Sequence, residues 1–276
     1  MNATSSHAGS GLAVITGGAS GIGLAFARAY ATRGSRVLIG DIDEAAMDCA
    51  AEQIRQLGAA VTTSVVDLQD SDSVAAFGAM ARDRGTMTAV CLNAGITSTG
   101  TTVWDTSLST FDALIGVNLR GLFHSVKTFV PALIAQGKPA DIVITASMAG
   151  MVACPHSGAY AASKAGAIAL AKSLRAELQL TAPALRLALL NPGVVRTNLI
   201  RTSAAHLPRD GSMSEDLVNV SHDALDQSGV EPGVAVAWAL KALEDNSFWA
   251  HPPAGDPFRE MLAIEFAEIT DDQAHP

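Results

Sequence analysis

Hydrophobic positions in this chain come in short continuous runs separated by longer, Ala-rich amphipathic stretches. Leu12-Ala13-Val14-Ile15 is the first run; Arg36-Val37-Leu38-Ile39-Gly40, Val61 to Val66, Thr88-Ala89-Val90-Cys91-Leu92, Ile142 to Ala146 and Leu185 to Leu190 follow. Apolar runs of strand length, bounded by Gly, Asn or Asp, are what a strand buried on both faces requires. Between them the spacing predicts helices over Leu24 to Thr32, from near Glu44, after Asp70-Ser71-Asp72, and over Phe111 to Ile134 with Pro131 near its end. Two more are predicted, one through the Ala-rich stretch carrying Tyr160 and Lys164 and one over Pro232 to Leu243. Such alternation implies right-handed crossovers and helices on both faces of a mostly parallel sheet. The expectation is a doubly wound α/β fold of about seven strands, in a single domain spanning the chain.

The junctions at which these runs end hold the polar and small residues. Thr16-Gly17-Gly18-Ala19-Ser20-Gly21-Ile22-Gly23 lies between the first strand and the first helix. Glycine at 17, 21 and 23 lets the backbone turn sharply and approach a pyrophosphate, while the amides of the helix start face its negative charge. The second run ends at Asp41, about twenty residues further on, where a carboxylate accepts hydrogen bonds from both adenosine ribose hydroxyls and repels a 2′-phosphate. That favours NAD over NADP, and no Lys or Arg within Thr16 to Gly23 offsets it. The other reading of Asp41 is an acid capping the helix that begins near Glu44. Asp67 ends the third run, placed to meet the adenine edge, and Asn93-Ala94-Gly95 ends the fourth with residues small enough for a cofactor to lie close.

Ser147 follows the fifth run, so its hydroxyl falls at the carboxyl edge of the sheet, where open parallel sheets bind ligands. Tyr160 and Lys164 form Y-x-x-x-K in the next helix and lie on one face, a turn apart. A free phenol is a poor base at neutral pH, and a neighbouring ammonium favours the phenolate. Hydroxyl, phenol and ammonium together point to proton transfer.

Composition narrows the choice of partner. The chain has 276 residues, 49% hydrophobic and 16% charged, with a formal net charge of −9. A balance this acidic, without basic runs, argues against nucleic acid or an anionic membrane, and a small-molecule substrate is expected. Cys49, Cys91 and Cys154 are odd in number and show no C-x-x-C pairing, so neither a disulfide framework nor a zinc site is expected, and His124, His206, His222 and His251 show no metal-ligand spacing. Met1 to Ser10 lack a basic and apolar signal pattern and no apolar stretch reaches spanning length, which together predict a cytoplasmic protein.

Taken in order, T-G-x-x-x-G-x-G at Thr16 to Gly23, Asp41, Asp67, N-A-G at Asn93 to Gly95, Asn118, Ser147, Y-x-x-x-K at Tyr160 to Lys164 and P-G-x-V-x-T at Pro192 to Thr197 resemble the short-chain dehydrogenase/reductase family of the classical type, with its Rossmann-type sheet. The resemblance covers about Leu12 to Thr197 and implies an NAD(H)-dependent oxidoreductase that interconverts a secondary alcohol and a ketone. It implies Tyr160 as general acid/base, Ser147 hydrogen-bonding the substrate oxygen, Lys164 lowering the phenol pKa and holding the nicotinamide ribose, and Asn118 supporting a water relay. Cofactor contacts would then come from Gly17, Ser20, Gly21, Ile22 and Gly23, from Asp41 with Ile42, from Asp67 with Leu68, and from Asn93, Ala94 and Gly95. Further contacts would come from Tyr160 and Lys164 and from Pro192, Gly193, Val195 and Thr197, the last two anchoring the carboxamide. Ala149 and His156 join Ser147 and Tyr160 as candidate substrate contacts.

Beyond Thr197 the pattern departs from the family. Residues 198–230 are polar and are expected to form a substrate lid. The family's usual closing strand and D-G-G turn are missing; Phe248-Trp249-Ala250-His251-Pro252-Pro253 stands in their place, followed by an amphipathic Phe258 to Phe266 and an acidic tail. Because the family's four-chain assembly uses that region, a homodimer is expected, with a homotetramer as the alternative. The runs at Ile115 to Gly121 and Phe129 to Gly137 and the aromatic-then-proline ending resemble a subgroup acting on bulky aryl secondary alcohols, so the substrate is expected to be an apolar cyclic or aryl alcohol or ketone. A non-catalytic nucleotide-sensing protein on the same fold is the reading from another class, and intact Ser147, Tyr160 and Lys164 argue against it.

Overall fold

The computed structural model describes residues 11–208 and 215–270. Seven strands form one sheet in the order β3-β2-β1-β4-β5-β6-β7, every neighbouring pair parallel. They are β1 Leu12–Thr16, β2 Arg36–Asp41, β3 Val61–Val65, β4 Met87–Leu92, β5 Ala140–Thr145, β6 Leu185–Leu190 and β7 Trp249–Ala250. The helices are α1 Gly21–Thr32, α2 Glu44–Gln56, α3 Ser71–Asp83, α4 Leu108–Ile115, α5 Gly121–Gln136, α6 Gly158–Thr181, α7 Leu199–His206, α8 Glu215–Ser228, α9 Pro232–Glu244 and α10 Pro257–Thr270.

Every residue of β1 is buried, as a central strand covered on both faces must be. Alternate side chains supply two separate cores. Leu12 and Val14 join Phe129, Leu133 and Ile168 on one face, whereas Ala13 and Ile15 join Phe26, Tyr30, Val236 and Leu240 on the other. Helix starts follow the acids in the sequence: Asp43 accepts the Ala46 amide at 2.9 Å to open α2, and Asp70 accepts the Asp72 amide at 2.9 Å to open α3. The chain passes from β1 outward to β2 and β3 and returns to β4 beside β1, so the strand order reverses between β1 and β4 and leaves a crevice at their carboxyl ends.

Two expectations change. The helix read as continuous over Phe111 to Ile134 is interrupted by a π-helical turn, Gly116–Arg120, between α4 and α5. At its carboxyl flank Gly121 is forced to be small, since a Cβ there would lie 2.7 Å from Leu68 Cβ and 3.1 Å from the Leu68 carbonyl oxygen, whereas a Cβ on Gly116 would meet the movable end of the Gln69 side chain at 2.5 Å. Pro131 stands inside α5, which runs on to Gln136 and ends at Gly137 in the left-handed conformation, φ 64°. Secondly, the closing strand is present: Trp249 and Ala250 pair with Leu189 and Leu190 as β7. Two residues are too few for an apolar period to reveal. The region read as a lid is largely helical, as α7 and α8, and is pinned at its base by a parallel bridge between Val195 and Val230. Residues 209–214 of that region, the ten amino-terminal residues and the acidic tail at 271–276 lie outside the described residues.

Among the described residues no helix is long and apolar enough to cross a membrane, and no cluster of three metal-binding side chains occurs.

Candidate active site

A cavity of about 530 Å³ opens over the carboxyl ends of β1, β4, β5 and β6, on the crevice that the strand order creates. Its floor at β1 is the glycine turn. Gly17 has φ +64° and its Cβ would fall 2.6 Å from the Ala94 backbone, so only glycine is compatible with both the turn and the neighbouring β4 loop. Gly23 does not line the cavity. A Cβ there would sit 1.9 Å from the Gly17 carbonyl oxygen, so its part is to let α1 pack against the turn, which aims the α1 amino terminus at the cavity.

Asp41, the last residue of β2, lines the cavity and is held by backbone amides. Its Oδ2 accepts from Ala19 at 3.0 Å and its Oδ1 accepts from Ile42 at 2.8 Å and Asp43 at 3.2 Å. The helix-capping part falls to Asp43 instead. Asp41 thereby ties the glycine turn to the end of β2 and still presents negative charge to the cavity, where Lys164 is the sole Lys or Arg on the wall among the described residues. Asp67 and Leu68 line the same side; the Asp67 carboxylate accepts from the Gln69 amide at 2.9 Å. The Asn93 side chain donates to the Gly17 carbonyl at 3.3 Å, and Thr16 Oγ1 accepts the Asn93 and Ala94 amides at 3.0 and 3.3 Å, locking the β1 and β4 loops together. Ser20, Gly21, Ile22, Ile42, Gly95, Pro192, Gly193, Val195 and Thr197 also line the wall. A glycine turn at a helix start, a carboxylate at the end of β2 and small residues at β4 suit a dinucleotide lying across the crevice.

Ser147, Tyr160 and Lys164 reach the cavity from β5 and α6. Ser147 lies just past β5, its Oγ accepting the Ala149 amide at 3.1 Å. Lys164 is 4% exposed. Its Nζ donates to the Thr145 carbonyl at 3.3 Å and stands 5.8 Å from the Tyr160 ring centroid. Burial alone brings its pKa down from 10.5 to about 8. For Tyr160 the expectation that Lys164 lowers the phenol pKa meets a larger opposing effect. Burial pushes the group up to about 12, a hydrogen bond with Ser147 offsets part of this, and the Cys154 thiol adds to the rise. Low-dielectric surroundings disfavour the phenolate, and burial is the largest cause of the shift.

Asn118 sits in the π-helical turn and is buried. Its Oδ1 accepts the Ile96 amide at 2.8 Å, and its Nδ2 donates to the Ile96 carbonyl at 2.8 Å and to Ser163 Oγ at 2.9 Å. The side chain thus fixes the β4 loop against α6. A Cβ on Gly95 would fall 3.0 Å from Asn118 Oδ1 and 3.1 Å from Lys164 Nζ, so both flank the same glycine.

Ala149 and His156 are not brought to the cavity. Ala149 contributes its amide to Ser147, and His156 is exposed with φ 61°, its carbonyl accepting the Gly100 amide at 2.9 Å. Sequence reasoning in turn missed Leu199, Thr202 and His206, which line the outer wall with Leu225 of α8. Their spacing, three and then four residues, puts them on one face of α7, and that helical period was the available signal.

A cavity at the switch point of a parallel sheet, with a hydroxyl, a phenol and an ammonium at one end, suits an oxidoreductase, the class in which the relatives fall. Within that class the chain is a member of the short chain dehydrogenase family, whose description matches residues 11–207. Similar proteins include the 1-deoxy-11-beta-hydroxypentalenate dehydrogenase of Streptomyces arenae, 36% identical over 226 residues that cover 79% of this chain and 80% of the relative. The C alpha-dehydrogenase of a Sphingobium species is 29% identical over 269 residues, 95% of this chain and 86% of its own. Among solved structures, a short chain dehydrogenase/reductase from Burkholderia phymatum in complex with NAD matches with a TM-score of 0.85 at 26% identity, covering 98% of both chains.

Proposed function

We propose that the protein is an NAD(H)-dependent dehydrogenase that interconverts a secondary alcohol and a ketone. The observation that carries this reading is the convergence of Ser147, Tyr160 and Lys164 on the cavity that Asp41 and the glycine turn also line. Gly17 to Ile22 and the α1 amino terminus would hold the dinucleotide pyrophosphate, Asp41 the adenosine ribose, and Val195 and Thr197 the carboxamide. Bound there, the dinucleotide supplies or accepts the hydride.

The chain's own part is proton handling. In reduction Tyr160, whose pKa of about 12 keeps it protonated at neutral pH, gives its proton to the substrate oxygen while Ser147 hydrogen-bonds that oxygen. In oxidation the same oxygen returns the proton to the Tyr160 phenolate. Lys164, with a pKa of about 8, is largely cationic at neutral pH and favours the phenolate when it forms. Ile96, Leu199 and Leu225 give the wall an apolar character that supports a cyclic or aryl substrate of medium size, in keeping with relatives named as dehydrogenases of a hydroxypentalenate and of a C alpha position. In this reading α7 and α8 act as a lid, and the chain works as a homodimer in the cytoplasm, a second copy covering exposed Phe123, Ile134 and Leu180.

NADH absorbance over a panel of secondary alcohols and ketones tests the reading. Tyr160→Phe is expected to lose roughly 10²- to 10⁴-fold in turnover while binding NADH as before. A Phe variant that keeps the native rate, or a panel without hydride transfer, refutes it; the latter result favours a nucleotide-sensing protein.

A further inference from the structure

Helix α10 lies beyond the residues that match the family, and none of its residues is buried. It nevertheless contacts the Gly193 loop of the cavity wall and the segment between Ser147 and Tyr160. At its start the Phe258 ring is 3.0 Å from where a Cβ on the wall residue Gly193 would sit, and Asp256 Oδ1, which accepts the Phe258 amide at 2.9 Å, is 3.7 Å from the same point. Further along, Glu265 Oε1 accepts a hydrogen bond from the Ala153 amide at 2.5 Å, joining positions 112 residues apart. Phe258, Leu262 and Glu265 recur at helical spacing and are the half-buried face of α10, so the helix is laid on the body of the protein by this stripe.

Ala153 belongs to the segment that connects Ser147 to Tyr160. The next residue, Cys154, stands near enough to Glu265 and to Tyr160 for charge to be felt along the row: Glu265 adds to the rise that burial causes in the Cys154 pKa, and Cys154 adds to that of Tyr160. A carboxylate accepting from a backbone amide makes a bond about twice as strong as a neutral one. Among the described residues it is the side-chain hydrogen bond that joins α10 to the 151–157 loop, at a solvent-exposed position.

We propose that Glu265 is a positioning residue: through the Ala153 amide it holds the 151–157 loop that leads into Tyr160, and α10 is the strap that fastens this loop to the Gly193 wall of the cavity. The proposal rests on Ser147, Tyr160 and Lys164 being the reacting centre.

Cys154 supplies a readout that does not depend on turnover. Cys91 is buried and Cys49 is exposed, so in a Cys49→Ser background Cys154 is the thiol that iodoacetamide can reach. Glu265→Ala and Glu265→Gln both remove the charge that Cys154 feels, but only Ala removes the acceptor. Alkylation of Cys154 is therefore expected to be about fivefold faster in E265A than in E265Q, the opening expected when a hydrogen bond between neutral groups is lost. E265Q should stay within about threefold of the native rate. With 1-phenylethanol as probe, E265A raises KM more than it lowers kcat, E265Q restores KM, and NADH affinity is the same in all three. Equal alkylation rates in E265A and E265Q overturn the proposal, as does a KM that E265Q fails to restore. If E265A does not fold, Glu265→Leu keeps the bulk, lacks the acceptor and is held to the same criterion of about fivefold. A protein that turns over no alcohol would sink the reaction class, yet the thiol rates would still decide the strap.

Discussion

Replacing Lys164 by Met separates what this side chain costs the fold from what it contributes to chemistry. Lys164 is 4% exposed, and burial brings its pKa from 10.5 to about 8. Below pH 8 both folded and unfolded chains carry the proton, and the folded state bears the full cost of a buried ammonium. A depression of that size corresponds to roughly 3 kcal/mol at 1.36 kcal/mol per pKa unit. Between about 8 and 10.5 the unfolded chain binds more protons than the folded one, so the stability of the native protein rises with pH through that window. Methionine fills a similar volume and does not titrate. Its stability relative to the native protein should therefore fall by about 3 kcal/mol from pH 7 to above pH 10. Loss of the hydrogen bond to the Thr145 carbonyl is a pH-independent penalty and drops out of this difference. Urea unfolding of both proteins at a series of pH values measures it, and the same samples are expected to show Lys164→Met without turnover. A stability difference that does not change with pH would refute the assignment of the pKa depression to burial.

Two further outcomes are expected. The kcat/KM for alcohol oxidation should climb with pH across the neutral and alkaline range, because the Tyr160 phenol, near 12 in the free enzyme, must lose its proton, whereas ketone reduction needs that proton present and should not rise; a pH-rate profile in which oxidation falls with pH would contradict this. Asp41→Asn keeps an acceptor oxygen for the Ala19 amide but removes the charge, so the preference for NAD over NADP should shrink by about tenfold, read as the ratio of the two kcat/KM values, and a native protein that uses both cofactors equally well would contradict the reading.

Strand positions were legible because a strand buried on both faces must be largely apolar, and β1, β5 and β6 are, with the two charges near the starts of β5 and β6, Asp141 and Arg186, paired with each other. Glycines at 17, 21 and 23 were legible as a group, although only the structure separates Gly17, which makes the turn, from Gly23, which makes room for it. The π-helical turn was hidden because its residues, Gly116 to Arg120, keep helical periodicity on either side and the extra residue in the turn depends on the packing of Leu68 and Gln69. β7 was hidden for the opposite reason: two residues pair only because β6 is there to receive them.

What the sequence by itself determined is the alternation of strands and helices and the chemistry gathered at the strand ends, since both are local: an apolar period, a glycine turn, a phenol one turn from an ammonium. Tertiary structure alone decided the quantities that depend on the surroundings of a group. It put Tyr160 and Lys164 where burial sets the direction of both pKa shifts, turned His156 outward, faced Leu199, Thr202 and His206 inward, and laid α10 across the loop before Tyr160 through Glu265. Dielectric environment and contacts between residues more than a hundred positions apart arise only when the chain has closed on itself, and no local pattern encodes them.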